Sequence, residues 1–135
     1  MDSIERTLIK DSNRTTHTAA LFGFHFPLHV EPTVYAFADR LSSDYRGGYW
    51  AFYRLSNGGF YMAPDENKAF HITSENGFAG QLSADALGIT ACLYAYSHLS
   101  LSGMLIADAC ARQYHWLRDY ALDHPEAESI MAAID

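Results

Sequence analysis

The sequence predicts an α+β fold: a three- to four-stranded antiparallel β-meander packed with about four α-helices in a single domain. Three observations lead there. A helical period begins at "EPTVYAFADRL", aromatic runs punctuated by glycine turns fill the span from Tyr49 to Ser83, and helical periods resume from Ser83 to the C-terminus. Helix, strands, then helices is the order of helices laid on an antiparallel sheet, not of alternating βαβ units.

Residues 1–18 are polar, carry "RTTHT" and show no sustained period, so they read as a flexible N-terminal arm, with the domain proper at 19–135. "LFGFHFPLHV" (Leu21–Val30) is apolar but interrupted by Gly23 and Pro27, and reads as an extended segment laid on the core. Pro32 then suits the first turn of a helix and Glu31 its positive end. Val34, Phe37, Ala38 and Leu41 form one apolar stripe. "RGG" turns the chain into "YWAFYRLS", a strand by composition. One face carries Tyr49, Ala51, Tyr53 and Leu55, the other Trp50, Phe52, Arg54 and Ser56. Both faces are largely apolar, which predicts cover on both sides. Trp50 and Phe52 are assigned to the core on one side, Tyr53 and Leu55 on the other.

"NGG" predicts a type I′ hairpin turn, with positive φ at both central residues, before the returning strand "FYMAP". "AFHITS" is a third strand, "ENG" a turn and "FAGQLS" a short fourth strand. Ser83 is an N-cap with Asp85 in the first turn. Leu87, Ala91, Tyr94, Ala95 and His98 share a face of the helix it starts, which runs to about Ser100. Gly103 breaks the pattern. The next helix has apolar positions at Leu105, Ala109, Trp116, Leu117 and Tyr120, and Pro125 restarts a short last one.

A chain of 135 residues with 49% hydrophobic and 19% charged side chains is globular and large enough to fold without disulfide or metal. It has no run of eighteen apolar residues, and its N-terminus is too polar for a secretory leader, which predicts a cytoplasmic protein without membrane contact. Cys92 and Cys110 sit in apolar helical stretches without metal-ligand spacing and read as buried, reduced thiols. Residues 1–64 carry six acids and six bases, whereas residues 65–135 carry ten acids and three bases, the whole of the net −7. That balance predicts no strong duplex DNA binding.

Catalytic signatures are missing. His25 and His29 are spaced H-x-x-x-H, but Pro27 between them breaks the helix that would aim both rings at one metal. No acid is spaced as an evident histidine partner, and no nucleophile elbow, P-loop or dinucleotide fingerprint occurs. Asp39 with Asp44, and Asp65 with Glu66, are the paired carboxylates, with nothing nearby to raise a pKa. The reading assigns no catalytic residue, no metal and no cofactor.

The run "ADRLSSDYRGGYWAFYRLSNGGFYMAP" resembles antirestriction proteins of the ArdB/KlcA type. The likeness continues through "FHITSENGFAGQLSADALGITACLYAYSHL" and "RQYHWLRDYALDHPEAESIMAAID", covering about residues 20–135. The resemblance implies a small cytoplasmic α+β protein of plasmids or other mobile elements. It further implies relief of restriction of incoming DNA by type I restriction-modification enzymes, without catalysis or cofactor. Duplex DNA presents about one charge per 1.7 Å of axis. Sixteen acids against nine bases is too sparse an array to imitate it at length. The expected partner is therefore a protein, the type I complex or an associated host factor, met through shape and mixed polarity. The candidate surface is Asp39, Asp44, Tyr45, Arg46, Arg54, Asn57 and Tyr61, with a secondary acidic patch of Asp119, Asp123, Glu126 and Glu128. The alternative is single-stranded nucleic-acid binding, with bases stacked on the aromatic hairpin face.

Overall fold

The hairpin of β2 (Trp50–Leu55) and β3 (Phe60–Pro64) lies at the centre of the computed structural model, which describes residues 3–135. Its partner is β1 (Arg6–Leu8), antiparallel to β2 with Arg6 opposite Leu55 and Leu8 opposite Tyr53. The sheet order is β1-β2-β3. β4 (Ala69–Thr73) and β5 (Ala79–Ser83) form a separate two-stranded sheet. Five strands in two small sheets thus replace one meander. Pro64 ends β3 without a backbone donor, the exposed Asp65–Lys68 loop carries the chain off the sheet, and β1 takes the vacant edge. The segment expected to be a polar arm therefore supplies a strand, and then α1 (Arg14–Phe22).

The hairpin loop differs from expectation. Leu55 pairs with Gly59 across three residues, Gly58 N–H donates to Leu55 O at 3.0 Å, and Gly58 has φ +101° while Asn57 does not enter positive φ. This is the three-residue hairpin loop closed by a left-handed glycine, one residue longer than a type I′ turn.

Residues Phe26–Val30 form a π-helical turn where an extended segment was expected. Pro27 sits in its first turn, where a missing N–H costs nothing, and the turn buries Phe26 and Val30. It leads into α2 (Glu31–Leu41), whose Val34, Ala38 and Leu41 are buried as the stripe predicted.

α3 (Ala84–Ser100) is the hub. Ser83 caps it, its Oγ accepting from Ala86 N–H at 3.1 Å. Twelve of its residues are buried on all sides, because α2, β3, α4 (Ala107–Ala121) and α5 (Ala127–Ile134) surround it. One apolar face was predicted; only Asp85, Tyr94, Ser97, His98 and Ser100 escape full burial. α3 touches the sheet at Gly88, where a Cβ would lie 2.3 Å from Ala63 Cβ and 2.4 Å from Met62 O. In α4 the buried positions are Cys110, Gln113, Leu117 and Ala121, while Leu105, assigned to the apolar face, precedes the helix and is 92% exposed. Both cysteines are free and buried.

Candidate functional site

Four segments distant in sequence deliver charged and phenolic groups to one point. β1 contributes Arg6, β3 Tyr61, the first turn of α3 Asp85, and the α4–α5 turn His124. Arg6 Nη1 donates to Asp85 Oδ1 at 2.7 Å and to Tyr61 Oη at 2.8 Å. Tyr61 Oη donates to the same carboxylate oxygen at 2.8 Å. His124 Nε2 lies 2.9 Å from Asp85 Oδ2, and Glu126 N–H donates to His124 Nδ1 at 3.0 Å. Because Nδ1 accepts, Nε2 carries the proton given to Asp85. Glu126 in turn takes Ser83 N–H on one oxygen at 2.9 Å and Ser83 Oγ–H on the other at 2.5 Å.

The electrostatics follow. Burial alone would raise the pKa of Asp85, but the hydrogen bonds from His124 and Tyr61 and the Arg6 charge outweigh it and hold the carboxyl below its ordinary range. Burial, then the Asp85 charge, pushes Tyr61 far above an ordinary phenol. The guanidinium of Arg6 also stacks over Tyr53 at 4.3 Å, and Tyr53, Tyr61 and Tyr120 stack in sequence. Every lone pair on the imidazole and both carboxylate oxygens are engaged. The cluster ties the N-terminal strand to the C-terminal turn.

This network overturns one sequence reading and adds a pairing that spacing could not show. Tyr61 was assigned to an exposed surface, yet it is fully buried beneath Tyr53, Tyr120 and Arg6. Asp85 has a histidine partner thirty-nine positions away, a pairing without local spacing signal.

The other surface candidates divide. Asp44 Oδ2 accepts from His71 N–H at 2.8 Å and so ties the α2–β2 loop to β4. Tyr45 Oη accepts from Trp50 Nε1 at 3.0 Å and packs edge-on to that indole. Asn57 Oδ1 accepts from Gly59 N–H at 3.0 Å, while its Nδ2 donates to Trp116 O at 2.9 Å, fastening the hairpin loop to α4. Arg46 donates to Ser43 O within its own loop. Asp39 and Arg54 are exposed, with Asp39 on α2 and Arg54 on the β1 side of the sheet, so the seven do not converge on one patch. Of the acidic patch, Asp119, Asp123 and Glu128 are exposed, and Glu126 is consumed by Ser83.

The hairpin aromatics are core. Trp50 is 2% exposed, Phe52 4% and Phe60 0%, with Phe26, Phe52 and Phe60 packed edge to face. A face of stacked bases has nothing to stand on there, and that alternative falls. Arg14, which sequence reading passed over, serves this core. β1 stops at Leu8, and beyond it the Arg14 guanidinium donates to Trp50 O at 2.7 Å and lies 4.1 Å above the Phe52 ring. Among the described residues no group of three or more His, Cys, Asp or Glu is placed to hold a metal ion, and no helix is long and apolar enough to cross a membrane.

Known proteins are similar to this chain. KlcA from Escherichia coli, described as an antirestriction protein, is 42% identical over 98% of this chain and 95% of its own length. YfjX of Escherichia coli strain K12, an uncharacterized protein, is 45% identical over 78% of this chain and 70% of its own. A solved structure from a study of KlcA and ArdB superposes with TM-score 0.90 and 41% identity, covering 100% of this chain and 99% of that one. That study describes a novel fold and antirestriction activity against type I DNA restriction systems in vivo but not in vitro. The profile of the family described as antirestriction protein matches residues 43–135. The chain belongs to the antirestriction protein family.

Proposed function

We propose that this protein relieves restriction of incoming DNA by type I restriction-modification systems in the cytoplasm, as a non-enzymatic contact protein and not as an extended DNA mimic. The observation that carries the reading is the full-length likeness, at TM-score 0.90, to a KlcA/ArdB structure described as active in vivo but not in vitro. An effect that needs the cell points to a target complex or host factor absent from a purified reaction. The fate of the carboxylates supports the same view. Asp85, Glu126 and Asp44 spend their oxygens on the protein's own donors, which leaves too few free acids for a phosphate-like array. Partner contact then falls to the exposed members of the candidate surface: Asp39, Arg46 and Arg54, with Asp119, Asp123 and Glu128.

The test is plating of unmodified phage on a host with an active type I system. Expression should raise plating by orders of magnitude there and leave a restriction-negative host unchanged. Folded, expressed protein without that rise overturns the reading.

A further inference from the structure

We propose that the cleft between β1 and the start of α1 binds a small phosphate-bearing anion. The cleft has a volume of about 370 Å³ and is lined by Thr7, Lys10, Asn13, His17 and Arg54, with Leu8 and Ile9 beside them. In a chain of net charge −7 it gathers two cations, and no carboxylate is among the described residues that line it. Neither Lys10 nor Arg54 makes an ion pair among those residues, whereas Arg6, Arg14 and Arg40 each do.

Three further features fit an anion. Thr7 lies directly opposite Arg54 in the β1–β2 register, so hydroxyl and guanidinium share one face. Asn13 is the N-cap of α1 but makes no capping hydrogen bond with its side chain, which leaves its amide to donate to an anion, while the neighbouring Asp11 carboxylate is paired with Arg14. His17 lines the cleft with its Nε2 buried and without a partner. Burial, then the Arg54 charge, lowers its pKa.

Ammonium, guanidinium, amide and hydroxyl donors together suit a tetrahedral oxyanion better than a single planar carboxylate. The cleft is larger than a bare phosphate, which leaves room for the remainder of a phosphomonoester such as a mononucleotide.

Titration calorimetry and NMR of the whole protein, with inorganic phosphate and a nucleoside monophosphate as separate probes, test this. Saturable binding is expected with one or both. Lys10→Gln and Arg54→Gln, both at exposed positions, should each weaken it about three- to tenfold, and the double variant should abolish it without changing Tm. The His17 pKa should rise on saturation, because a neighbouring anion favours the imidazolium. Tighter binding of the mononucleotide would assign the rest of the cleft to its organic part, and equal binding would make phosphate itself the ligand. No saturation with either probe, or full binding by the double variant, overturns the proposal. So does a DNA duplex that binds more tightly than the mononucleotide and loses that binding in the same variants.

Discussion

Asp85 accepts a hydrogen bond from His124 Nε2 on one carboxylate oxygen at 2.9 Å and from Arg6 on the other at 2.7 Å, so one side chain in the first turn of α3 joins the N-terminal strand to the C-terminal turn. Replacing it with asparagine keeps the shape and removes the charge. Asp85→Asn should cost about 2 kcal/mol, the scale of hydrogen bonds to a charged group. Urea unfolding with the slope held fixed measures it, and an unshifted midpoint would contradict the network's role.

The same residue sets an acid response. Its native pKa is depressed, so its contribution to stability is complete above the ordinary carboxylate range and is lost as pH falls through that range toward the native value. Unfolding midpoints measured from pH 6 down to about pH 3 should fall, and should fall less steeply in Asp85→Asn.

Gly88 permits helix and sheet to touch. An alanine methyl would lie 2.3 Å from Ala63 Cβ and 2.4 Å from Ala63 Cα and Met62 O, and two of those atoms are backbone that cannot swing away. Gly88→Ala should cost at least about 3 kcal/mol, at the upper end of overpacking penalties. Adding Ala63→Gly should restore only part of the loss, since Met62 O remains in the way. A melting temperature equal to wild type for the single variant would show that α3 can lift off β3.

Trp50 is 2% exposed, donates to Tyr45 and packs edge-on to Tyr35. Trp50→Ala should cost about 3–5 kcal/mol. Asn57→Ala, which cuts the loop from Trp116 and Gly59, should cost about 1–2 kcal/mol and leave restriction relief intact in the folded protein. Loss of that relief at unchanged stability would return Asn57 to the contact surface.

Both thiols are buried, with burial pushing Cys92 up to about 12 and Cys110 up to about 11. A thiol reagent at pH 8 should label neither in the native protein and both after denaturation. Labelling of either under native conditions would reveal local opening of α3 or α4.

The local elements were readable because their signals are local. Ser83 capping α3, the Val34–Ala38–Leu41 stripe and the paired aromatic runs around "NGG" each lie within a few residues. What escaped depends on partners far along the chain. β1 is three exposed residues without alternation, and only β2's free edge makes it a strand. Tyr61 sits in a strand that reads equally well with either face out, until Tyr53, Tyr120 and Arg6 cover it. Pro27 signals a break to local reading, yet at the first turn of a helical segment it breaks nothing. Among the candidate surface residues, a polar side chain spent on a neighbouring backbone, as in Asp44 and Asn57, is written in one letter with a polar side chain free for a partner.

The latch around Arg6 also bears on synthesis. A ribosome releases Arg6 early, but its carboxylate partner lies seventy-nine positions later. At about 5–20 residues per second, that leaves Arg6 without its carboxylate for several seconds in the nascent chain. The hairpin must exist before β1 has an edge to pair with, and α3 before Arg6 has its carboxylate, so docking of the N-terminus waits on segments made later. A bulky N-terminal fusion would therefore slow maturation more than a C-terminal one.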